Sequence, residues 1–240
     1  MPPKLIIFDF DGTLFDSLNA ITTSVQLTFD KLLPSYTPDP AELNRLISIG
    51  APPEITFKAL QPPDERNASF NEETWVTTYR KIYSEHGHPL TTPYPGAKEV
   101  LVKLRDAGIQ LAIISNKAVA AIHSALASHG LGGLVPDELI VGEPMFTGGK
   151  RKPHPEGFSE VLLPRLKAVY GEEACAYGEG EVLMVGDTVT DILFARNIGA
   201  RVCWCRFGQG NAANCEREKP DSGIDRLVDV LGVVDGMEVI

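Results

Sequence analysis

Two aspartates, Asp9 and Asp11, stand directly after the short apolar run Leu5–Phe8 near the start of a 240-residue chain. Side chains alternate along a strand, so an i, i+2 pair projects the same way. Neighbouring carboxylates repel, which drives their pKa values apart unless a cation intervenes. Such a pair can divide its labour between an ionised nucleophile and a group that carries a proton. Gly12 follows and permits an unusual backbone angle at the turn. An EF-hand calcium loop would need a third acidic or amide ligand before that glycine and a later Glu, and the strand context argues against it. A plain acidic turn is the other reading. Asp16 and Ser17 read as the N-cap of the next helix rather than as catalytic residues.

A second carboxylate pair, Asp187 and Asp191, follows the apolar run Val182–Val185. One helical turn brings Asp191 back beside Asp187. Asp187 suits direct metal coordination and Asp191 the metal's water shell. Oxygen donors with no His or Cys cluster suit magnesium, which keeps several of its waters. The competing reading is a helix cap at Asp187 with a solvated Asp191.

Two segments offer groups for an anion. Ser115-Asn116-Lys117 ends an apolar run and precedes a helical pattern. A hydroxyl and free amides at a helix N-terminus suit a phosphate oxygen, although a simple cap has the same composition. Lys152 lies between Gly148-Gly149 and Pro153/Pro155, on a loop entering a helix. There it can neutralise a phosphoryl group as a point charge. Lys150 and Arg151 compete for that role, and His154 has none assigned. The turn Gly50-Ala51-Pro52 with nearby Arg45 reads either as a substrate-specificity loop or as a surface turn with a solvated arginine.

The elements that must position these groups are legible in the hydrophobic pattern. Near-continuous apolar runs at 5–8, 109–114, 139–141, 182–185 and 201–204 read as parallel strands covered on both faces. Helical stripes lie between them: Ala97/Val100/Leu101/Leu104, Val119/Ile122/Leu126 and Ile192/Ala195/Ile198, with Gly108, Gly130 and Gly199 just beyond. This alternation predicts an α/β fold with a doubly wound, parallel, Rossmann-like sheet. From 16 to 92 the alternation stops. Leu18/Ile21/Val25/Phe29/Leu32 and Trp75/Val76/Tyr79/Ile82/Tyr83 are spaced for helices, with proline-rich turns between them. The expected organisation is a catalytic core of residues 1–15 and 93–240 and an inserted helical cap of 16–92. Residues 171–181 read as a solvated acidic loop, and no function is read for 205–220.

Composition narrows the partners. The net charge is -10, which repels nucleic acid and anionic lipid. An acidic chain that binds an anion needs local positive charge from a metal or a few Lys and Arg. No stretch has the length and apolarity of a membrane span or the form of a secretory signal. The four cysteines read as structural thiols of a reduced, cytoplasmic protein, since none of their spacings suits zinc. The expected partner is a small phosphorylated metabolite, and the expected state is a monomer or homodimer.

Taken in order, each at a strand end, these segments resemble the four motifs of the haloacid dehalogenase-like hydrolase superfamily. Asp9–Leu14 is similar to its first motif, Ile113–Asn116 to its second, Lys152-Pro153 to its third and Val185–Asp191 to its fourth. The insertion after the first motif is similar to a C1 helical cap, and the wording around Asp9 and Asp187 is most similar to the phosphoglycolate-phosphatase-like branch. Residues 219–231 resemble that branch's final strand and helix. The resemblance implies a Mg²⁺-dependent phosphatase with Asp9 as nucleophile and Asp11 as acid and base. It also implies that Mg²⁺ is held by Asp9, the Asp11 backbone carbonyl and Asp187, that Ser115, Asn116 and Lys152 bind phosphate, and that the cap closes over the site. A phosphomutase of the same superfamily and a non-catalytic phosphometabolite-binding protein are the alternatives.

Overall fold

The computed structural model describes residues 2–63 and 70–236. Its strands are β1 (Leu5–Phe8), β2 (Phe15–Asp16), β3 (Thr92–Pro93), β4 (Gln110–Ala118), β5 (Ile140–Glu143), β6 (Val182–Gly186), β7 (Arg201–Cys205) and β8 (Ser222–Ile224). Its α-helices are α1 (Leu18–Leu32), α2 (Pro40–Ser48), α3 (Pro53–Leu60), α4 (Glu72–Ile82), α5 (Ala97–Asp106), α6 (Val119–Ser128), α7 (Leu163–Tyr170), α8 (Val189–Asn197), α9 (Ala212–Arg217) and α10 (Val230–Val234).

All four side chains of β1 are fully buried. A strand apolar on both faces needs cover on both sides. It obtains this at the centre of a parallel sheet of order β5-β4-β1-β6-β7-β8. Helices α5, α6, α7, α8 and α10 send Leu101, Ile122, Leu166, Phe194 and Val230 into the same apolar cluster. Each such burial contributes about 1.5–3 kcal/mol. The doubly wound α/β sheet expected from the sequence is therefore present. Its strand order reverses between β1 and β6, which is where open α/β sheets leave a crevice at the strands' carboxyl ends.

The chain leaves the sheet through β2 and returns through β3, and these two pair antiparallel as a short ribbon. Between them α1–α4 close on a second apolar cluster built around Phe29, Phe57 and Trp75. The ring centroids of Phe29 and Trp75 lie 4.7 Å apart and those of Phe57 and Trp75 5.3 Å apart. Such aromatic pairs add about 0.5–1.5 kcal/mol beyond the area they bury.

Several local readings are corrected. Two of the proline-rich turns open helices: Pro40 starts α2 and Pro53 starts α3. Proline suits a first helical position because its missing N–H has no partner there in any case. Strand β4 does not stop at Ile114 but runs on to Ala118, with a register shift against β5. Ser115–Lys117 are thus extended, and α6 begins only at Val119. Ser17 does not cap α1 with its side chain; the Leu18 N–H is taken by Asp16 Oδ1 at 3.2 Å instead. All four cysteines are free and buried. Among the described residues no helix is long and apolar enough to cross a membrane.

Candidate active site

Asp9 is the first residue beyond β1, and its N–H still pairs with the Val185 carbonyl of β6 at 2.9 Å. Asp187 is the first residue beyond β6. The strand reversal therefore sets two carboxylates side by side in the crevice. Helix α8 adds Asp191 from its first turn. The three carboxylates offer one oxygen each within 4.8 Å of one another, and all three residues are buried.

One cation meets this charge directly. Lys152 Nζ lies 2.9 Å from Asp9 Oδ1 and 2.6 Å from Asp191 Oδ1, with the lysine side chain 2% exposed. Burial would lower its pKa, but the two carboxylates outweigh that and raise it. Asp9 is pushed up from 3.8 to about 6, chiefly by burial and further by Asp191, against the pull of Lys152. Burial, then Asp191 and Asp9, hold Asp187 well above the usual carboxylate range. Three buried carboxylates against one ammonium leave a deficit of positive charge, and a hard divalent cation with oxygen ligands fits it.

The donors distinguish the three acids. Asp191 is used on both oxygens: Oδ1 by Lys152, and Oδ2 by the Thr188 N–H at 3.0 Å and the Thr188 hydroxyl at 2.8 Å. It anchors the helix start and holds the lysine. Asp9 Oδ1 accepts from Lys152 and from the Phe10 N–H at 2.7 Å, and Oδ2 faces no donor among the described residues. Asp187 accepts the Thr13 hydroxyl at 3.2 Å and the Gln209 N–H at 2.7 Å.

The packing around Asp187 explains two glycines. Gly12 has φ +74°, and a Cβ there would lie 2.2 Å from Asp187 Oδ2. At Gly208 a Cβ would lie 2.2 Å from the Asp187 Cβ. The 207–210 loop thus closes against Asp187, and Gln209 goes on to donate from Nε2 to Ser17 Oγ at 3.0 Å. The stretch 205–220, to which the sequence assigned nothing, supplies this wall. Gln209 was missed because it lies 22 residues from Asp187 on a loop with no motif to mark it.

On the opposite wall, Asn116 reaches Lys152 rather than open space. Its Oδ1 accepts the Lys152 N–H at 3.0 Å, and its Nδ2 donates to the Lys152 carbonyl at 3.2 Å. This clamp holds the lysine-bearing loop against β4. Ser115 is buried and lines the cavity. Lys117 was also missed. Its Nζ lies 3.0 and 3.2 Å from the two Asp11 oxygens and donates to Tyr83 Oη at 2.8 Å. The available signal was a lysine at the end of an apolar strand, directly after Ser-Asn. Of the lysine's rivals, Lys150 is exposed against Glu156, and Arg151 bridges Glu54 of α3 and Glu143 of β5.

Asp9, Asp11, Ser115, Lys117, Lys152 and Asp191 line a cavity of about 540 Å³. Its roof comes from the inserted helices and is largely apolar, with Ile21, Val25, Ile47, Phe57 and Tyr79. Gly50 lines it and stands opposite Thr190, whose hydroxyl donates to the Ile49 carbonyl at 2.8 Å. Arg45 does not line it; it is exposed on α2, paired with Glu42.

Three comparisons bear on this arrangement. The family model described as haloacid dehalogenase-like hydrolase matches residues 6–205. The phosphoglycolate phosphatase of Aquifex aeolicus is 30% identical over 233 residues, covering 97% of each chain. That of Vibrio vulnificus is 29% identical over 236 residues, covering 96% of each. Among solved structures, a haloacid dehalogenase-like family hydrolase from Streptococcus pneumoniae superposes with a TM-score of 0.75 at 22% identity, covering 96% of this chain and 98% of its own. That likeness shows a common fold.

Proposed function

The chain belongs to the haloacid dehalogenase-like hydrolase family, and on that premise we propose that it is a magnesium-dependent phosphatase. Its substrate is a small-molecule phosphate monoester, of the kind that the phosphoglycolate phosphatases similar to it are named for. The observation that carries the reading is the buried Asp9, with Lys152 Nζ at 2.9 Å and two further carboxylates beside it at the strand reversal.

Asp9 attacks phosphorus through the oxygen that no protein donor occupies. An Asp9 Oδ–P bond forms while the ester P–O bond breaks. The Asp11 carboxyl gives its proton to the leaving oxygen, so an alcohol departs. Water then attacks the phosphorus of the aspartyl phosphate and passes a proton to Asp11. The Oδ–P bond breaks, inorganic phosphate leaves, and both aspartates return to their starting states. Asp9, Asp187 and the Asp11 backbone carbonyl are the groups to hold Mg²⁺, with Asp191 acting through its water shell. Bound there, the ion supplies the positive charge that a phosphate of about -1.5 to -2 requires beside three carboxylates. Lys152 neutralises a phosphoryl oxygen from the other side, Ser115 donates its hydroxyl, and Asn116 holds the lysine loop in reach.

The helices between β2 and β3 act as a cap. Their apolar roof excludes water during the first step and selects the leaving group. The test is phosphate release from a panel of phosphomonoesters, in Mg²⁺ and in EDTA, for wild type and Asp9→Asn. Release that needs both the ion and Asp9 is the expected result. Interconversion of sugar phosphates without release would replace the phosphatase by a mutase.

A further inference from the structure

Asp11 lines the same cavity as Asp9 and Asp191, but its carboxylate has a cation of its own. Its carboxylate is held on both oxygens by Lys117 Nζ, at 3.0 and 3.2 Å. The lysine side chain is only 9% exposed, so this pair is far less screened than a surface ion pair. Lys117 is itself fixed by a residue from the inserted segment. Its Nζ donates to Tyr83 Oη at 2.8 Å and lies 4.1 Å from the centroid of the same ring. A desolvated cation over an aromatic face is attracted by the ring's quadrupole.

Tyr83 opens the π-helical turn Tyr83–Gly87 that follows α4. Its hydroxyl also meets Thr91 Oγ1 at 2.8 Å, and Thr91 immediately precedes β3. Asp11 in turn bridges to Phe15 at the start of β2. A continuous chain of polar contacts therefore runs from the Asp11 carboxylate through Lys117 and Tyr83 to the ribbon where the helical insertion joins the sheet.

We propose that Lys117 is a positioning residue for Asp11: it holds that carboxylate at the joint between sheet and cap, and Tyr83 lets the cap's position set the lysine's. The inference rests on the reading of Asp11 as acid and base given above. Lys117 comes from the extended end of β4, whose backbone is fixed in the sheet. Tyr83 comes from the insertion. A shift of the insertion therefore acts on the Asp11–Lys117 pair through a direct contact with Lys117, whereas it reaches the Asp9–Lys152–Asp191 cluster only through the neighbouring contacts Arg151–Glu54 and Thr190–Ile49.

The experiment uses the full chain with Mg²⁺ and measures kcat/KM, which reports the step that breaks the ester bond. Two substrates are compared: an alkyl phosphate, whose leaving oxygen needs a proton, and p-nitrophenyl phosphate, whose phenolate leaves without one. The variants are Lys117→Met, Lys117→Arg and Tyr83→Phe. Loss of a well-placed general acid costs about 10²–10⁴-fold where protonation matters. Lys117→Met is expected to lower kcat/KM on the alkyl ester by about 100-fold or more and on p-nitrophenyl phosphate by less than about 10-fold. Lys117→Arg is expected to recover part of the alkyl activity, and Tyr83→Phe to show the same selectivity at roughly 3–10-fold. Equal losses on both substrates, or none, would overturn the proposal in favour of a structural or phosphate-binding lysine. Should Lys117→Met not fold, Tyr83→Phe alone decides, because it removes one hydroxyl and no charge. A wild type that releases phosphate from neither substrate would defeat the phosphatase reading itself, a result distinct from an unchanged substrate ratio.

Discussion

The floor of the cavity and the joint beneath the cap handle their carboxylates differently. On the floor, Asp9, Asp187 and Asp191 crowd together with one ammonium, and the loops after β1, β6 and β5 supply all the charges. At the joint, Asp11 has a lysine of its own, and the inserted helices provide part of that lysine's setting. The floor is short of positive charge, which suits a divalent cation with oxygen ligands. The joint is balanced and built across two packing units, so the grip on Asp11 depends on where the inserted helices sit. Asp9 and Asp11, the proposed nucleophile and the proposed acid, thus lie two residues apart in sequence yet answer to different parts of the molecule.

The largest break in this comparison is Asp9→Asn. It removes the proposed nucleophile, and phosphate release is expected to fall by at least about 10⁴-fold, with the fold intact by circular dichroism. Asp187→Asn is next. It should cost more than the roughly 100-fold typical of outer partners of a metal and should abolish the thermal shift caused by Mg²⁺. In wild type, Mg²⁺ at about 100 times its Kd is expected to stabilise by about 2.7 kcal/mol, or roughly 5–10 °C.

Metal removal sharpens the floor's half of the comparison through pH. The Asp9 pKa rises from 3.8 to about 6 on folding, and that of Asp187 rises well above the usual range. Between pH 4 and 6 the folded state therefore binds more protons than the unfolded one, and stability falls as pH rises through that window. Asp9 alone accounts for a loss on the order of 3 kcal/mol. In EDTA, the melting temperature should be higher near pH 4.5 than near pH 7.5, and Asp187→Asn should narrow the difference. A metal-free protein that melts higher at pH 7.5 would break the account of a floor short of positive charge.

Asn116→Ala tests the loop clamp. Loosening Lys152 by a fraction of an ångström to an ångström should lower kcat/KM by up to about 100-fold, alike for alkyl and aryl esters, since it acts on the floor. The smallest effect is expected at Arg45. It is exposed, and its guanidinium is bonded to Glu42 of its own helix, so Arg45→Ala should keep kcat/KM within about twofold. A large loss would return Arg45 to the specificity role that its position near Gly50 suggested.

By itself the sequence determined the doubly wound sheet, and it named the carboxylates and the lysine that the structure brings together at the strand ends. Apolar runs of four or five residues can be satisfied only by burial on both faces, so β1, β6 and β7 could be read directly. An aspartate just beyond such a run must emerge at the strand's end, which located Asp9 and Asp187 without any tertiary information. The fourfold spacing brought Asp191 to the same place, and flanking glycines and prolines marked the Lys152 loop. What only the tertiary structure decided lies in contacts between segments remote in sequence. Ser-Asn-Lys at a strand end is consistent with several hydrogen-bond schemes. Packing settled that Asn116 clamps the Lys152 backbone 36 residues away and that Lys117 takes Asp11, 106 residues away. Gln209 reaches Asp187 because small glycines let its loop approach, and no periodicity records that. Arg45 turned to solvent because its helix had a Glu at three residues' distance and a face to bury elsewhere. Strand and helix periods come from local geometry, which a string of residues carries. The partner of a buried charge is fixed by where the remaining charges lie once the chain has folded.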